Sequence, residues 1–231
     1  MVTSSETPWS RRRAAVDEVV YPESDGQPMA ENTKQYKWIV LLAENLDAAL
    51  PDFVAGDLLW YPVAGRPEIS MAPDVLVAVG RPKGHRGSYL QFREDDVPPT
   101  VVIEVLSPSN SMAEMARKAA FCSAHGVKEF WVIDPESEDG WALFRGVDEF
   151  VSIPDLVGWT SPTLGVSFGR EGDELVVYHR DGSRFLRFDE LKARAESEKA
   201  RADEATERAR RLAAKLAALG VNPDDLDDQA L

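Results

Sequence analysis

The chain has 231 residues, of which 44% are hydrophobic and 29% charged, a composition typical of one sizeable folded domain with an appendage. Its formal net charge of −14 argues against a general nucleic-acid-binding protein, because Lys and Arg contacts to phosphate supply most non-specific affinity, although a small basic site is compatible with it. The single cysteine, Cys122, excludes an intrachain disulfide, and no apolar run reaches the roughly 20 residues of a membrane span, so we expect a cytoplasmic protein without membrane contact.

The N-terminal part of the chain is predicted to be an arm followed by a helix and a strand. Residues 1–20 are polar and lack periodicity, which indicates a flexible arm, and no apolar stretch follows Arg11–Arg13, which argues against a secretory signal. Over residues 30–50 apolar side chains recur at helical spacing, and Pro51 stops this predicted amphipathic helix. Residues 56–63 are predicted to form a strand.

The centre of the chain has the pattern of a sheet that is covered on both faces. Residues 73–79 and 101–106 are β-branched runs without polar alternation. The polar segment 107–111 is suited to cap a helix over residues 112–125, and residues 129–133 are the next predicted strand. Strand, helix and strand in this order predict a parallel crossover in a mixed α/β sheet.

The C-terminal part is predicted to form hairpins and then one long helix. Short strands are expected at residues 141–144, 149–153, 164–168, 175–179 and 184–186. Residues 189–219 contain no Gly, Pro or aromatic residue and carry a heptad-like seam of Leu191, Ala195, Glu198, Ala202, Ala205, Ala209, Leu212, Leu216 and Leu219. We therefore predict a coiled-coil tail over residues 189–220 that forms a homodimer, and an acidic tail over residues 221–231. A lone amphipathic helix docked on the core is the alternative, because five of the nine seam residues are Ala or Glu and burial per heptad is modest.

Two carboxylates lie in strands that are otherwise apolar, and they are the first candidate site. Asp74 and Glu104 would each cost several kcal/mol if buried without a partner. A hard divalent cation such as Mg²⁺ is a suitable partner for two carboxylates from neighbouring strands. The alternative for Glu104 is a solvated strand edge or a pair with Lys or Arg.

Lys118 lies on the helix that follows the Glu104 strand, and this helix packs back over the sheet. An ammonium there could reach the same cluster and stabilise charge on a phosphoryl group. Glu114 lies four residues earlier on the same helical face, so an ordinary Glu–Lys surface pair is the alternative.

A dense basic cluster within the core domain comprises Arg81, Lys83, His85 and Arg86. These residues could bind a phosphate backbone beside the metal site, or they could belong to a solvated loop. No Gly-rich phosphate loop, nucleophilic serine elbow or paired-cysteine motif is present in the sequence, which excludes the corresponding cofactor and zinc sites.

Several motifs, taken in order, resemble one bacterial family over roughly residues 20–190. They are Asp25-Gly-Gln-Pro-Met-Ala-Glu31, Pro73-Asp74-Val75, Val102-Ile-Glu-Val-Leu-Ser-Pro-Ser109, Lys118 and Gly126-Val-Lys-Glu-Phe-Trp-Val-Ile-Asp134. The family is domain of unknown function 820, a group of restriction-endonuclease-like proteins in the PD-(D/E)XK superfamily. The resemblance implies a mixed β-sheet core flanked by helices over residues 21–188, with extra β-hairpins and the long C-terminal helix outside the core pattern.

The same resemblance implies a metal-dependent endonuclease that acts on DNA, with Mg²⁺, or Mn²⁺, as the cofactor. It would make Asp74 and Glu104 the metal ligands and catalytic acids, Lys118 the catalytic lysine, and Glu31 and Glu114 auxiliary acids.

The chain departs from the family pattern at three positions. Leu106 stands two residues after the second acid, where the superfamily has lysine; Glu114 stands where the family usually has Asp; and Cys122 replaces a frequent Tyr.

Two functions therefore compete. The first is a DNA endonuclease, and a nuclease for RNA or branched DNA is not distinguished from it. The second is a nuclease fold retained as an interaction scaffold that recruits partners through its helical tail. The negative charge favours the scaffold, and the retained acidic and lysine positions favour the enzyme.

Overall fold

The computed structural model describes residues 19–147 and 149–219, which divide into two compact units, one ending at Phe185 and one beginning at Leu186. Each unit is described by itself. The predicted N-terminal arm, apart from residues 19 and 20, and the predicted acidic tail lie outside the described residues. No helix in the described ranges is long and apolar enough to cross a membrane.

The first unit combines two helices with ten short strands. Helix α1 (Thr33–Ala49) is capped by Asn32, whose side chain accepts hydrogen bonds from Lys34 N and Gln35 N, and it ends directly before Leu50 and Pro51. The remaining elements are β1 (Asp52–Gly56), β2 (Trp60–Tyr61), β3 (Val75–Pro82), β4 (Tyr89–Leu90), a 3₁₀ turn (Gln91–Arg93), β5 (Val101–Val105), α2 (Met112–Ala124), β6 (Glu129–Asp134), β7 (Asp139–Arg145), β8 (Phe150–Ile153), β9 (Ser167–Glu171) and β10 (Glu174–Tyr178).

The main sheet has six strands in the order β1-β3-β5-β6-β7-β8. β5 and β6 are parallel and are joined by α2, which confirms the predicted crossover, and the other neighbours in this sheet are antiparallel. β9 and β10 form a separate antiparallel hairpin, and β2 and β4 form a short parallel pair. The expected mixed sheet with flanking helices and an extra hairpin is confirmed.

Strand alternation divides the core between the two faces of the sheet. In β5, Ile103 packs in one cluster with Ile39 and Leu42 of α1, whereas Val102 packs in another cluster with Met115 of α2. Both faces are therefore covered by helices. This explains why the strands read as continuous apolar runs without polar alternation.

The prediction of one strand over residues 56–63 was wrong. β1 ends at Gly56, and Asp57 adopts the left-handed conformation, with φ 49°, that turns the chain away from the sheet edge. Only Trp60–Tyr61 returns to extended pairing, while the preceding strand β1 was missed. The predicted strand over residues 184–186 reduces to one bridge between Arg184 and Tyr178.

The second unit is built around helix α3 (Phe188–Ala218), which confirms the predicted long C-terminal helix. Its first turn is stabilised by Glu190, whose Oε2 accepts a hydrogen bond from Arg187 N at 2.8 Å. None of its described residues is buried. The coiled coil stays a prediction.

Candidate functional site

Asp74 and Glu104 lie at matching positions of two neighbouring strands. Val75 pairs with Ile103 and Leu76 with Val102, and one further step in this register sets Asp74, directly before β3, opposite Glu104 in β5. Residues opposite each other in an antiparallel pair project to the same face of the sheet. The two carboxylates therefore share the face that α2 covers.

The Asp74 carboxylate is held against the end of β5. Asp74 Oδ2 accepts a hydrogen bond from Val105 N at 2.7 Å. The main-chain oxygen of Asp74 accepts another from Asp57 N at 3.1 Å. Val105 directly follows Glu104, so this contact fixes Asp74 beside the second carboxylate.

Glu104 is buried, with 2% of its surface exposed. Its Oε2 accepts a hydrogen bond from Lys118 Nζ at 2.7 Å, while its Oε1 is buried without a hydrogen-bond partner among the described residues. The alternative in which Glu104 pairs with a lysine is therefore the arrangement in the structure. Leu106, which stands at the superfamily's lysine position, packs partly against the apolar cluster beneath α2, and Lys118 brings an ammonium to the site from the helix instead.

The alternative for Lys118, a surface pair with Glu114, is not formed among the described residues. Glu114 Oε2 instead accepts a hydrogen bond from Asn110 Nδ2 at 3.2 Å, and Glu114 N donates to the N-cap Ser111 Oγ. Lys118 is thereby committed to the buried carboxylate of Glu104 rather than to its own helix.

Burial sets the proton affinities of this cluster. It raises the pKa of Glu104 to about 8, although the Lys118 ammonium acts in the opposite direction. It also raises the pKa of Asp74 to about 6, partly offset by the hydrogen bond from Val105 N. Burial alone would lower the pKa of Lys118, but the charge and hydrogen bond of Glu104 raise it above its ordinary value. Near neutral pH, a pKa of about 8 leaves Glu104 mostly protonated beside the charged Lys118.

A cleft of about 590 Å³ opens beside these residues. It is bordered by the segment before α1, by the loop between β5 and α2, and by one face of α2. Five carboxylates line it, together with two cations: Asp25, Glu31, Asp57, Asp74, Glu114, Arg117 and Lys118. Glu104 lies behind this lining. The cleft is therefore acidic, and Lys118 and Arg117 are the cations that face it among the described residues.

Glu31 and Glu114, the two acids predicted to be auxiliary, both line the cleft. The loop before α2 connects to each of them, because Ser109 Oγ donates a hydrogen bond to Glu31 Oε1 and Asn110 contacts Glu114.

Gln35 was missed by the sequence analysis. It is buried on α1, where its Nε2 donates to Val105 O at 2.9 Å and its Oε1 accepts from Glu31 N at 2.8 Å. Gln35 therefore links the backbone of Glu31 to Val105, the residue that follows Glu104 at the end of β5. The available signal was a polar residue on the apolar face of a predicted helix. Asp57 was also missed, because the predicted strand over residues 56–63 included it and β1 was not predicted.

The basic cluster lies away from the cleft. Arg81 lies seven residues after Asp74, which is about 23 Å along an extended strand. Arg86 lies five residues further along the chain. Both bind Glu94, and the guanidinium of Arg86 stacks 3.9 Å from the Phe53 ring centroid. Lys83 pairs with Asp47, 3.2 Å between Nζ and Oδ1. None of the three lines the cleft.

Glu129, which lies in the family motif that ends at Asp134, is a second buried carboxylate. It accepts hydrogen bonds from Trp131 Nε1, Ser161 Oγ and Thr163 N at 2.8 to 2.9 Å. All of its partners are neutral donors, in contrast to the half-satisfied Glu104. This difference in hydrogen bonding identifies Glu129 as a structural carboxylate and Glu104 as a candidate ligand.

A divalent cation at this site would have Asp74 and Glu104 as its carboxylate ligands. Across the described ranges, no group of three or more His, Cys, Asp or Glu side chains is placed to hold a metal ion. Mg²⁺ commonly binds through one or two carboxylates and keeps several waters, so Asp74 and Glu104 suffice for such a site. The unpartnered Glu104 Oε1 beside an acidic cleft fits this ion.

One family model agrees with the family resemblance. No curated protein matches the chain. A solved structure described as a putative nuclease belonging to DUF820, from Anabaena variabilis, aligns with 65% of this chain and 90% of its own at 18% identity and a TM-score of 0.46. The family model Uma2, described as putative restriction endonuclease, matches residues 16–158, which is more than half of the chain. The chain therefore belongs to the Uma2 family of putative restriction endonucleases.

Proposed function

We propose that the chain is a Mg²⁺-dependent endonuclease that hydrolyses DNA phosphodiester bonds, with Mn²⁺ able to replace Mg²⁺. The observation that carries this proposal is the buried, unpartnered Oε1 of Glu104, on the same sheet face as Asp74. A buried carboxylate oxygen without a partner costs free energy that a cation would recover.

Asp74 and Glu104 would hold the ion, and Glu31 and Glu114 would add negative charge at the cleft wall. When bound, the ion supplies positive charge to the phosphate oxygens and makes water a better nucleophile. Gln35 and Val105 N keep the strand end and the Asp74 carboxylate in place. In the reaction, a bond forms from a water oxygen to phosphorus, the ester P–O bond breaks, and the leaving oxygen takes up a proton.

Lys118 is the residue proposed to stabilise the charge that develops on the phosphoryl group. An ammonium has three N–H donors, and Glu104 takes one of them. Lys118 also lines the cleft, so its other donors are available to a phosphate oxygen. A donor held in place before the reaction stabilises developing charge without reorganisation.

The acidic cleft makes substrate binding depend on the ion. Five carboxylates around the cleft repel the phosphates of DNA, and the net charge of −14 adds to this repulsion. A divalent cation between the carboxylates and the phosphate reduces this repulsion and is a direct counterion for the phosphate. DNA is therefore expected to bind poorly in a chelator.

A cleavage assay on supercoiled, linear and single-stranded DNA, with Mg²⁺, Mn²⁺ or a chelator, tests the proposal. Asp74→Ala, Glu104→Gln and Lys118→Ala are each expected to lower the rate at least about 100-fold. Glu44→Gln removes an exposed carboxylate of α1 outside the cleft and should cleave like the wild type. Cleavage that survives Asp74→Ala would assign the activity to another site or to a contaminant.

The second candidate function is an interaction scaffold without catalysis. Its supporting observation is α3, whose described residues are all unburied, with 48% of Leu191 and 53% of Leu212 exposed. Such an apolar stripe is suited to a partner helix, and we propose a second copy of the chain as that partner. Calorimetric titration of Mg²⁺ separates the two functions, because an inactive scaffold would bind no ion at the carboxylates.

A further inference from the structure

One face of α2 forms a wall of the cleft and presents Glu114, Arg117, Lys118 and Phe121. Residues spaced three and four apart share a helix face, so these four form one continuous stripe. The proposed chemistry uses Lys118 and Glu114 but leaves Arg117 and Phe121 without a role.

Arg117 is an exposed cation on this face of α2. Its side chain makes no ion pair or hydrogen bond in the described part of the chain, although five carboxylates line the same cleft. Glu114, one turn earlier, is engaged by Asn110, and Lys118 is engaged by Glu104. Among the described lining residues, Arg117 is thus a cation that no carboxylate engages, and it can bind an anion from solution.

Phe121 lies one turn beyond Arg117 and is the aromatic residue among the described lining residues. It is supported from the protein side by Trp60, at 5.3 Å between ring centroids and 87° between planes, and by His125 at 4.6 Å. Trp60 is itself fully buried, and its Nε1 donates to Gln91 Oε1. These contacts hold the Phe121 ring at the cleft in a defined place.

We propose that Arg117 and Phe121 form a binding ledge for single-stranded DNA, which rests on the nuclease function proposed above. Arg117 binds a phosphate that flanks the scissile one, and its planar guanidinium suits bidentate contact with phosphate oxygens. Phe121 stacks against a neighbouring base, which requires that the base be unpaired. The ledge therefore selects single strands or frayed ends over intact duplex.

The ledge also accounts for how so acidic a protein holds a polyanion. The basic cluster of Arg81, Lys83 and Arg86 is engaged by Glu94 and Asp47 and does not line the cleft. One free arginine beside an ion-loaded site gives a local contact of few charges, so binding should depend only weakly on salt.

The test is the affinity of the full chain for a short fluorescent oligonucleotide, single-stranded or duplex, measured by anisotropy with Ca²⁺ in place of Mg²⁺. Salt is varied between about 50 and 200 mM. Arg117→Gln should weaken single-strand binding about tenfold and reduce the slope of log Kd against log salt by about 0.7. Arg117→Lys should restore the salt slope of the wild type. Phe121→Ala should weaken single-strand binding but leave the salt slope unchanged. Lys128→Gln removes an exposed charge directly before β6 and should leave both the affinity and the salt slope unchanged.

The outcomes separate the ledge from the nuclease proposal. Wild-type protein that binds single strands through Arg117 but cleaves nothing in Mg²⁺ would support the ledge and contradict the nuclease. Cleavage by the wild type, with Arg117→Gln within about twofold in Kd and unchanged in slope, would overturn the ledge alone. Equal affinity for duplex, or no binding to either oligonucleotide, would also overturn it.

Discussion

Replacing Glu104 by Gln should change how the stability of the metal-free protein depends on pH. Burial raises the pKa of Glu104 to about 8, from an ordinary value of 4.5. Between these values the folded protein retains a proton that the unfolded chain has released. The stabilising contribution of this group is therefore complete below about pH 4.5 and is lost as the pH rises towards 8.

The size of the effect follows from the shift. Each pKa unit corresponds to about 1.4 kcal/mol, so the shift from 4.5 to about 8 corresponds to at most about 5 kcal/mol of unfolding free energy. Glu104→Gln lacks this titration, whereas Asp74, with its pKa raised to about 6, titrates in both proteins. The stability of the variant relative to the wild type should therefore rise with pH by a few kcal/mol.

Urea unfolding of both proteins in a chelator, at several pH values from about 5 to about 8, measures this difference. Adding Mg²⁺ at 100 times its Kd should then stabilise the wild type by about 2.7 kcal/mol, and the variant much less. Parallel curves of unfolding free energy against pH would refute the reasoning, because they would show that Glu104 is ionised in the folded metal-free protein.

Other substitutions test the supports of the site and the tail. Gln35→Ala removes both the bond to Val105 O and the bond from Glu31 N, and should cost about 2 kcal/mol in urea unfolding. Glu129→Gln places an amide NH₂ opposite groups that are themselves donors, so one hydrogen bond is lost. The free energy of unfolding, measured in the same way, should fall by about 1 to 3 kcal/mol. Arg86→Gln breaks a half-buried ion pair with Glu94 and should lower the free energy of unfolding by about 2 kcal/mol. Lys83→Gln breaks a more exposed pair with Asp47 and should cost less than about 1 kcal/mol. An increase in the Kd for DNA in either variant would return the basic cluster to the substrate site. A chain that ends at Arg187 should sediment as a monomer if α3 forms the dimer, and an unchanged mass would remove the helix from the oligomer.

Local patterns in the sequence were sufficient for the helices, for the central strands of the main sheet and for the pair of acids at the candidate site, but not for β1. Helical periodicity and Pro51 predicted α1, and the apolar runs around residues 75 and 103 predicted strands covered on both faces. Carboxylates inside such runs are conspicuous because burial of a charge is costly, which is why Asp74 and Glu104 stand out without a structure. These features depend on neighbours within a few residues.

The tertiary structure decided which groups meet. The register of β3 against β5 places Asp74 opposite Glu104, and a shift of one residue would have separated them to opposite faces. Lys118 bonds to Glu104 rather than to Glu114, its neighbour on the helix, because α2 packs over that face of the sheet. Glu94 and Asp47 neutralise the basic cluster from elsewhere in the chain. Contacts between residues distant in sequence depend on the packing of whole elements, so no local pattern specifies them.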